Sequence, residues 1–202
     1  MFWAKLNRKT LLIFSSNKNK INEIKKFLPK KKYYFKNIKS LKESAAPKET
    51  GKSFAENAKI KSKFGYKIYG IPCIADDSGI SIRALSGKPG IYSNRFQKEN
   101  GGYKKSFKKI ILATKKKNNN FAYFTCVISL TYDKNKTVTF TGKKNGVITD
   151  LPLGKRGFGY DPIFKPEKSK KTYGQMIKKE KMKNSHRSIA LKKLNTFLKR
   201  IN

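Results

Sequence analysis

Ile71-Pro72-Cys73-Ile74-Ala75-Asp76-Asp77-Ser78-Gly79-Ile80-Ser81-Ile82 is the stretch on which the reading of this chain turns. The apolar run from Ile71 to Ala75 has the length and composition of a buried strand. Ile80, Ile82 and Ala84 then alternate with other residues, as in a half-exposed strand. Between them, two carboxylates precede a Ser-Gly pair that reads as a turn. Adjacent acids at the end of a buried strand repel each other away from water, and a divalent cation neutralises both. An Asp-rich turn uses the same residues without a metal, so the motif alone leaves both readings open.

The pattern outward from this stretch alternates strands and helices. Thr10 to Phe14 reads as a short strand and Ser15-Ser16-Asn17 as a turn. Ile21, Ile24, Phe27 and Leu28 follow at helical spacing until Pro29. Tyr33 to Ile38 predicts a second strand, and Ser44 to Lys52 a loop. Ser53-Phe54-Ala55-Glu56 matches a capping box that opens a helix to about Ile68. Downstream, Ser86 to Gly90 forms a turn and Tyr103 to Lys117 a basic amphipathic helix. Phe121 to Tyr132 turns at Asp133-Lys134-Asn135 and returns through Thr137 to Phe140 as a hairpin. Val147-Ile148 adds a short strand, and Leu151 to Pro166 a Gly/Pro loop. Ser185 caps a final helix with apolar positions at Ile189, Leu191, Leu194, Phe197 and Leu198. The expectation is an α/β protein with a mixed sheet, one domain over residues 1–202.

The charge balance is extreme: 49 basic against 12 acidic residues, a formal +37. Arginine occurs only at 8, 83, 95, 156, 187 and 200, so the excess is lysine, spread along the chain. A dedicated nucleic-acid reader leans more on arginine for base edges and bidentate phosphate contacts. The excess therefore reads as solvated faces, with weak, salt-sensitive binding to nucleic acid and no specific partner of that kind. Cys73 and Cys126 lie in separate apolar runs without a second ligand nearby and read as reduced, buried residues. Met1 to Thr10 lacks a signal-length apolar stretch and no run approaches a membrane span, so the expected location is the cytoplasm, with no membrane partner.

Four polar clusters fall at predicted strand ends and loops. Ser15-x-Asn17-x-x-Lys20, at a strand-to-helix turn, offers hydroxyl, amide and ammonium groups to an anion, although Ser and Asn are equally ordinary caps. Glu49-Thr50-Gly51 is followed by Asn57 and Lys61, four apart on one helix face; Glu49 could complete an acidic site, while Lys61 is also read as a solvated lysine. Gly157-Phe158-Gly159-Tyr160-Asp161-Pro162 combines close backbone approach with an aromatic shelf and an acceptor, or is a glycine turn whose rings plug the core. Lys181 with Ser185-His186-Arg187, at a helix start, suits a phosphate or a purine carbonyl, although a lone histidine is more often structural. Taken together the four describe a triphosphate site: acids for a metal, lysines for phosphates, a ring for a base.

These segments, in this order, resemble the Ham1-like inosine/xanthosine triphosphate pyrophosphatases. The likeness rests on Ser15-x-Asn17-x-x-Lys20, Glu49-Thr50-Gly51-x-x-Phe54-x-x-Asn57-Ala58-x-x-Lys61 and Ala75-Asp76-Asp77-Ser78-Gly79-Ile80. It continues through Pro89-Gly90-Ile91-Tyr92-Ser93 with Arg95, Gly157 to Phe164, Glu180-Lys181 and Ser185-His186-Arg187. The chain departs from the family pattern at Gln175, Asn120 and Lys88. The resemblance implies an elongated mixed β-sheet flanked by helices in two lobes, with a central active-site cleft, as a homodimer. It implies magnesium-dependent cleavage of ITP, dITP and XTP between the α and β phosphates, giving the monophosphate and pyrophosphate. Asp77 would be the catalytic base and a metal ligand, with Glu49 and Asp76 supporting Mg2+. Ser15, Ser16, Asn17, Lys18, Asn19, Lys20 and Lys61 would line the phosphates, and Ser78 would touch the substrate. Phe158, Gly159, Tyr160, Asp161, Lys181, His186 and Arg187 would receive the base and position the nucleotide.

Overall fold

The computed structural model describes residues 9–29, 32–37 and 46–201. Ile38, at the end of the second predicted strand, and Ser44-Ala45, at the start of the predicted loop, lie outside the described residues. Six strands form one mixed sheet: β1 (Lys9–Ile13), β2 (Tyr33–Asn37), β3 (Cys73–Ile82), β4 (Phe121–Asp133), β5 (Lys136–Ile148) and β6 (Phe164–Pro166). Their order across the sheet is β2-β1-β3-β4-β5-β6. β1 pairs parallel with β2 and with β3, whereas β5 and β6 pair antiparallel. Among the described residues the α-helices are α1 (Lys18–Phe27), α2 (Phe54–Tyr69), α3 (Ser93–Glu99), α4 (Tyr103–Lys116), α5 (Lys178–Asn184) and α6 (His186–Arg200).

The chain divides into two compact units. The first comprises the described residues up to Asp77, Val127–Gly142 and those from Ser188 onward. The second comprises Ser78–Cys126 and Lys143–Arg187. In the first unit Asn17 caps α1: its Oδ1 accepts from the Asn19 and Lys20 amides at 2.9 and 3.2 Å, which frees the helix start from a solvent requirement. Ser53 caps α2 as the sequence predicts, its Oγ accepting from the Glu56 amide. The reciprocal half of the box moves back one residue, because Glu56 accepts from the Lys52 amide at 2.7 Å. Gly70, at φ 60, ends that helix in the left-handed conformation. Leu12, Phe14, Cys73 and Ala75 form a buried cluster under Phe64. Burial pushes the Cys73 thiol pKa far up, so this cysteine is an inert core residue. Ser62 ties α2 to β4 through the hydroxyls of Ser129 and Thr131, at 2.8 and 2.9 Å.

The second unit is built around Ile80, Ile82, Ile110, Phe124, Ile163 and Phe164. Here the structure corrects the sequence reading. Asp76-Asp77-Ser78-Gly79 is not a turn between two strands; it lies inside the single strand β3. Gly79 serves close approach rather than a turn: a Cβ there would sit 2.2 Å from the Gly90 carbonyl oxygen and 2.4 Å from Ser93 Oγ. Ser93 Oγ accepts from the Ile80 amide at 2.9 Å and donates to the Gly90 carbonyl at 2.6 Å. Thr137–Phe140 and Val147-Ile148, expected as separate strands, are the two ends of β5. The interruption was Gly146, whose missing side chain admits Lys165 and Phe164 of β6; a Cβ there would lie 2.4 Å from the Lys165 carbonyl oxygen. Helices α3 and α5 have no expectation behind them, because neither short lysine-bearing segment shows an apolar period.

Gly79→Ala is therefore expected to destabilise the protein by about 2 kcal/mol or more, lowering Tm by roughly 4–8 °C. Ser93→Ala, which orphans the Ile80 amide, costs about 1–2 kcal/mol. Thermal unfolding followed by circular dichroism checks both; an unchanged Tm for Gly79→Ala contradicts the packing described.

Candidate active site

In the first unit three acids gather on two lysines. Asp76 and Asp77 are buried on β3, flanked by Lys20 from α1 and Lys61 from α2. Lys20 Nζ lies 3.0 Å from Asp76 Oδ2. Lys61 Nζ lies 2.6 Å from Glu49 Oε1 and 3.6 Å from Asp77 Oδ1, so one ammonium joins two carboxylates. Asn57, one helical turn before Lys61, donates from Nδ2 to Asp77 Oδ2 at 3.3 Å. Its Oδ1 accepts from the Gly51 amide at 2.8 Å. One carboxamide thus fixes both Asp77 and the segment that carries Glu49. Gly51 has to be glycine for this, since a Cβ would stand 2.7 Å from Asn57 Oδ1. The sequence placed Asn57 in a motif but assigned it no role; its fixed spacing of four from Lys61 was the available signal.

The electrostatics follow from this crowding. Burial is the largest influence on Lys61 and works against its charge, but Asp77, Asp76 and Glu49 together outweigh it and hold the ammonium pKa above the ordinary lysine value. Burial also dominates at Asp77 and raises its carboxyl pKa; Lys61 and Lys20 oppose the rise, and Glu49 and Asp76 add to it. Three acids against two lysines leave one negative charge in surplus. Among the described residues no group of three or more His, Cys, Asp or Glu side chains is placed to form a metal centre unaided. Magnesium seldom needs such a cage: it is commonly held by one or two carboxylates together with substrate phosphates. The Glu49–Asp77 pair, hard oxygen donors in surplus negative charge, fits that requirement.

The α1 start supplies the rest of this set. Ser15 Oγ accepts from the Asn17 amide at 3.2 Å, and Ser16, Asn17, Lys18 and Asn19 are exposed. Asn17 is thereby a helix cap, and its oxygen is committed to backbone amides.

In the second unit Asp161 is the centre. Buried, it accepts from Lys181 Nζ at 2.5 Å and from the Phe158 amide at 2.8 Å. Lys181 Nζ also lies 4.6 Å from the Phe158 ring centroid and 5.2 Å from that of Tyr173. Arg187, 1 % exposed, reaches Phe158 from 5.7 Å and donates from Nη2 to Ser78 Oγ at 2.9 Å. Gly157 and Gly159, at φ 79 and 64, bracket Phe158 in a loop that other residues would strain. At Gly157 a Cβ would also meet Asp161 Oδ2. His186 is buried and stacked on Phe124, with centroids 4.6 Å apart and planes at 10°. Tyr160 is buried too: its hydroxyl donates to the Ser93 carbonyl at 2.8 Å, and its ring meets Tyr103 edge-on. Burial first, then Tyr103, raises its phenol pKa far above the ordinary value. The structure thus brings Ser78, Phe158, Asp161, Lys181 and Arg187 into one contact network, and places His186 and Tyr160 against the aromatic core of the same unit.

Two outcomes are expected. A folded-state pKa raised above the unfolded one gives stability that is fully present when the carboxyl is protonated and lost as pH rises through the folded pKa. Asp77→Asn removes that loss, so the metal-free variant should gain stability relative to the unsubstituted protein as pH rises from about 4 to 7. Denaturant melts across that range check it, and a stability difference that stays flat or moves the other way as pH rises contradicts it. Breaking the buried Lys181–Asp161 pair by Lys181→Met or Asp161→Ala should cost about 3–5 kcal/mol each, with the double substitution costing less than the sum; a double-mutant cycle in urea reads the coupling.

Comparison with known proteins places this geometry. The model of the Ham1 family matches residues 11–197. A dITP/XTP pyrophosphatase of Staphylococcus aureus strain MW2 is 39% identical over 190 residues, 94% of this chain and 96% of that protein. A dITP/XTP pyrophosphatase of Dictyoglomus thermophilum is 40% identical over 198 residues, 96% of each chain. The solved Ham1 protein of Staphylococcus aureus superposes with a TM-score of 0.87 at 38% identity, covering 96% of this chain and 100% of its own. That of Coxiella burnetii gives 0.86 at 33%, covering 95% and 98%. With its mixed six-stranded sheet and a match over nearly its whole length, the chain belongs to the Ham1 family.

Proposed function

We propose that this protein hydrolyses the non-canonical 6-oxo purine nucleoside triphosphates ITP, dITP and XTP to the monophosphate and pyrophosphate, clearing them from the nucleotide pool. The observation that carries the reading is Asp77, buried on β3 between Asn57 and Lys61 with Glu49 on the same lysine, in a chain whose relatives are named dITP/XTP pyrophosphatases.

Asp77 is the general base. Its raised pKa moves the carboxylate toward the range where a base works best. It orients a water molecule and takes its proton as the water oxygen bonds to the α-phosphorus. The bond from that phosphorus to the α–β bridging oxygen breaks, and pyrophosphate leaves with the bridging oxygen. Lys20 and Lys61, with the α1 start from Ser15 to Asn19, bind the phosphate chain and balance the charge of the departing group; this electrostatic contribution is the largest one. Magnesium, when bound by Glu49, Asp77 and Asp76, neutralises phosphate oxygens.

Phe158 is the stacking surface for the base, and Gly159 leaves its edge uncovered. Lys181, His186 and Arg187 supply donors for the purine 6-oxo group; Asp161 fixes Lys181, and Ser78 touches the substrate and accepts from Arg187. Tyr160 supports the loop from the core. A 6-amino purine would face these donors with another donor, a mismatch worth ~10⁴ in selectivity. A cytoplasmic homodimer completes the reading on the strength of the resemblance.

The test is a panel of ITP, XTP, dITP, GTP, ATP and dTTP with magnesium, assayed for pyrophosphate against orthophosphate. ITP, dITP and XTP should release pyrophosphate and ATP should not. Asp77→Asn should lower kcat by roughly 10²-fold or more while the fold is retained. Orthophosphate as the first product, or ATP as the best substrate, sinks the proposal.

A further inference from the structure

One ammonium joins two of the carboxylates to which the proposed function assigns magnesium. Lys61 Nζ is 2.6 Å from Glu49 Oε1 and 3.6 Å from Asp77 Oδ1. Both are carboxylates that the proposed function gives to magnesium, and here they are joined by lysine. Lys61 is only 14% exposed at its side chain, so its charge is poorly screened. The proposed function also gives it the phosphates, and each N–H that turns to a phosphate oxygen is one withdrawn from the carboxylates.

We infer that Lys61 and the divalent cation compete for the Glu49–Asp77 pair, so that metal binding is weak without nucleotide and is completed when a polyphosphate draws Lys61 onto itself. The inference rests on the metal-and-phosphate reading of this site. Its physics is linkage. Phosphate oxygens offer Lys61 a second anionic partner; the carboxylates it leaves regain their full negative charge; a dication repays that charge better than a monocation. By reciprocity, metal bound at the carboxylates raises the affinity for polyphosphate by the same factor. The arrangement disfavours a loaded metal with no substrate and favours arrival of the metal together with the nucleotide. Lys20 is the built-in comparison. Its contact is with Asp76, at 3.0 Å, and it acts on Asp77 only at longer range, so its removal takes away one nearby charge without vacating the Glu49–Asp77 pair.

The experiment measures metal alone, without nucleotide or turnover. Mn2+ is titrated into the full-length protein, and free Mn2+ is read by electron paramagnetic resonance for the unsubstituted chain, Lys61→Met, Lys20→Met and Lys61→Met/Glu49→Gln. Lys61→Met should bind Mn2+ at least about tenfold more tightly than the unsubstituted chain and more tightly than Lys20→Met. Adding Glu49→Gln should remove the gain. Equal or weaker binding by Lys61→Met, or an equal gain in Lys20→Met, overturns the inference. If Lys61→Met does not fold, pulse acetylation of the unsubstituted protein with peptide mass spectrometry decides. Labelling of Lys61 relative to exposed Lys63 should rise as Mg2+ is added, and a flat ratio overturns the inference. ITP hydrolysis by the unsubstituted protein is measured separately, so an inactive enzyme with the expected metal behaviour counts against the proposed activity, not against the competition.

Discussion

The buried carboxylate of Asp77 is the constraint on which the rest depends. A charge taken out of water has to be compensated, and the protein does so with directed contacts from one helix: Asn57 and Lys61, both on α2. The same asparagine holds the Gly51 amide and the same lysine holds Glu49. The Ser53 cap that starts α2 therefore sets the position of the site, and the hydroxyls of Ser62, Ser129 and Thr131 keep that helix on β4. The compensation is incomplete, since burial still leaves the carboxyl pKa raised. A fully satisfied carboxylate would be a poor base; one held slightly short of satisfaction can accept a proton.

Scarcity of acid makes the distribution informative. Among the described residues, the acids Glu23, Asp76, Asp77 and Asp161 are buried, and the three aspartates each lie beside a lysine. In a chain carrying +37, a lysine on the surface needs no explanation, whereas a buried lysine–aspartate pair does. Lys181–Asp161 is such a pair, and it also sets the Phe158 loop, because Asp161 accepts from the Phe158 amide. The remaining positive charge acts at longer range. It favours encounter with a polyanionic substrate and makes that encounter sensitive to salt.

Much of this was legible in the sequence, where local chemistry decides. The α2 start announced itself through Ser53 and Glu56, the hairpin through Asp133-Lys134-Asn135, and the family through the order of its motifs. What escaped depended on partners distant in sequence. Asp-Asp-Ser-Gly reads as a turn by composition, yet it is strand because Ser93 supplies the Ile80 amide with a partner and Gly79 makes room for it. Gly146 likewise masked the continuity of β5, since its reason lies in β6. His186 reads as a polar group and Tyr160 as part of a glycine–aromatic loop, but their rings are placed by stacking on Phe124 and by edge contact with Tyr103. Asn57 had no legible role because a carboxamide's two ends are assigned only by what surrounds them.

The central claim is that water held by Asp77 attacks the α-phosphorus. Hydrolysis of ITP in ¹⁸O-labelled water, with mass analysis of both products, tests it most directly. The label should appear in the inosine monophosphate, with none in pyrophosphate. Label in pyrophosphate, or in orthophosphate released beside a diphosphate, would place the attack on another phosphorus and contradict the account.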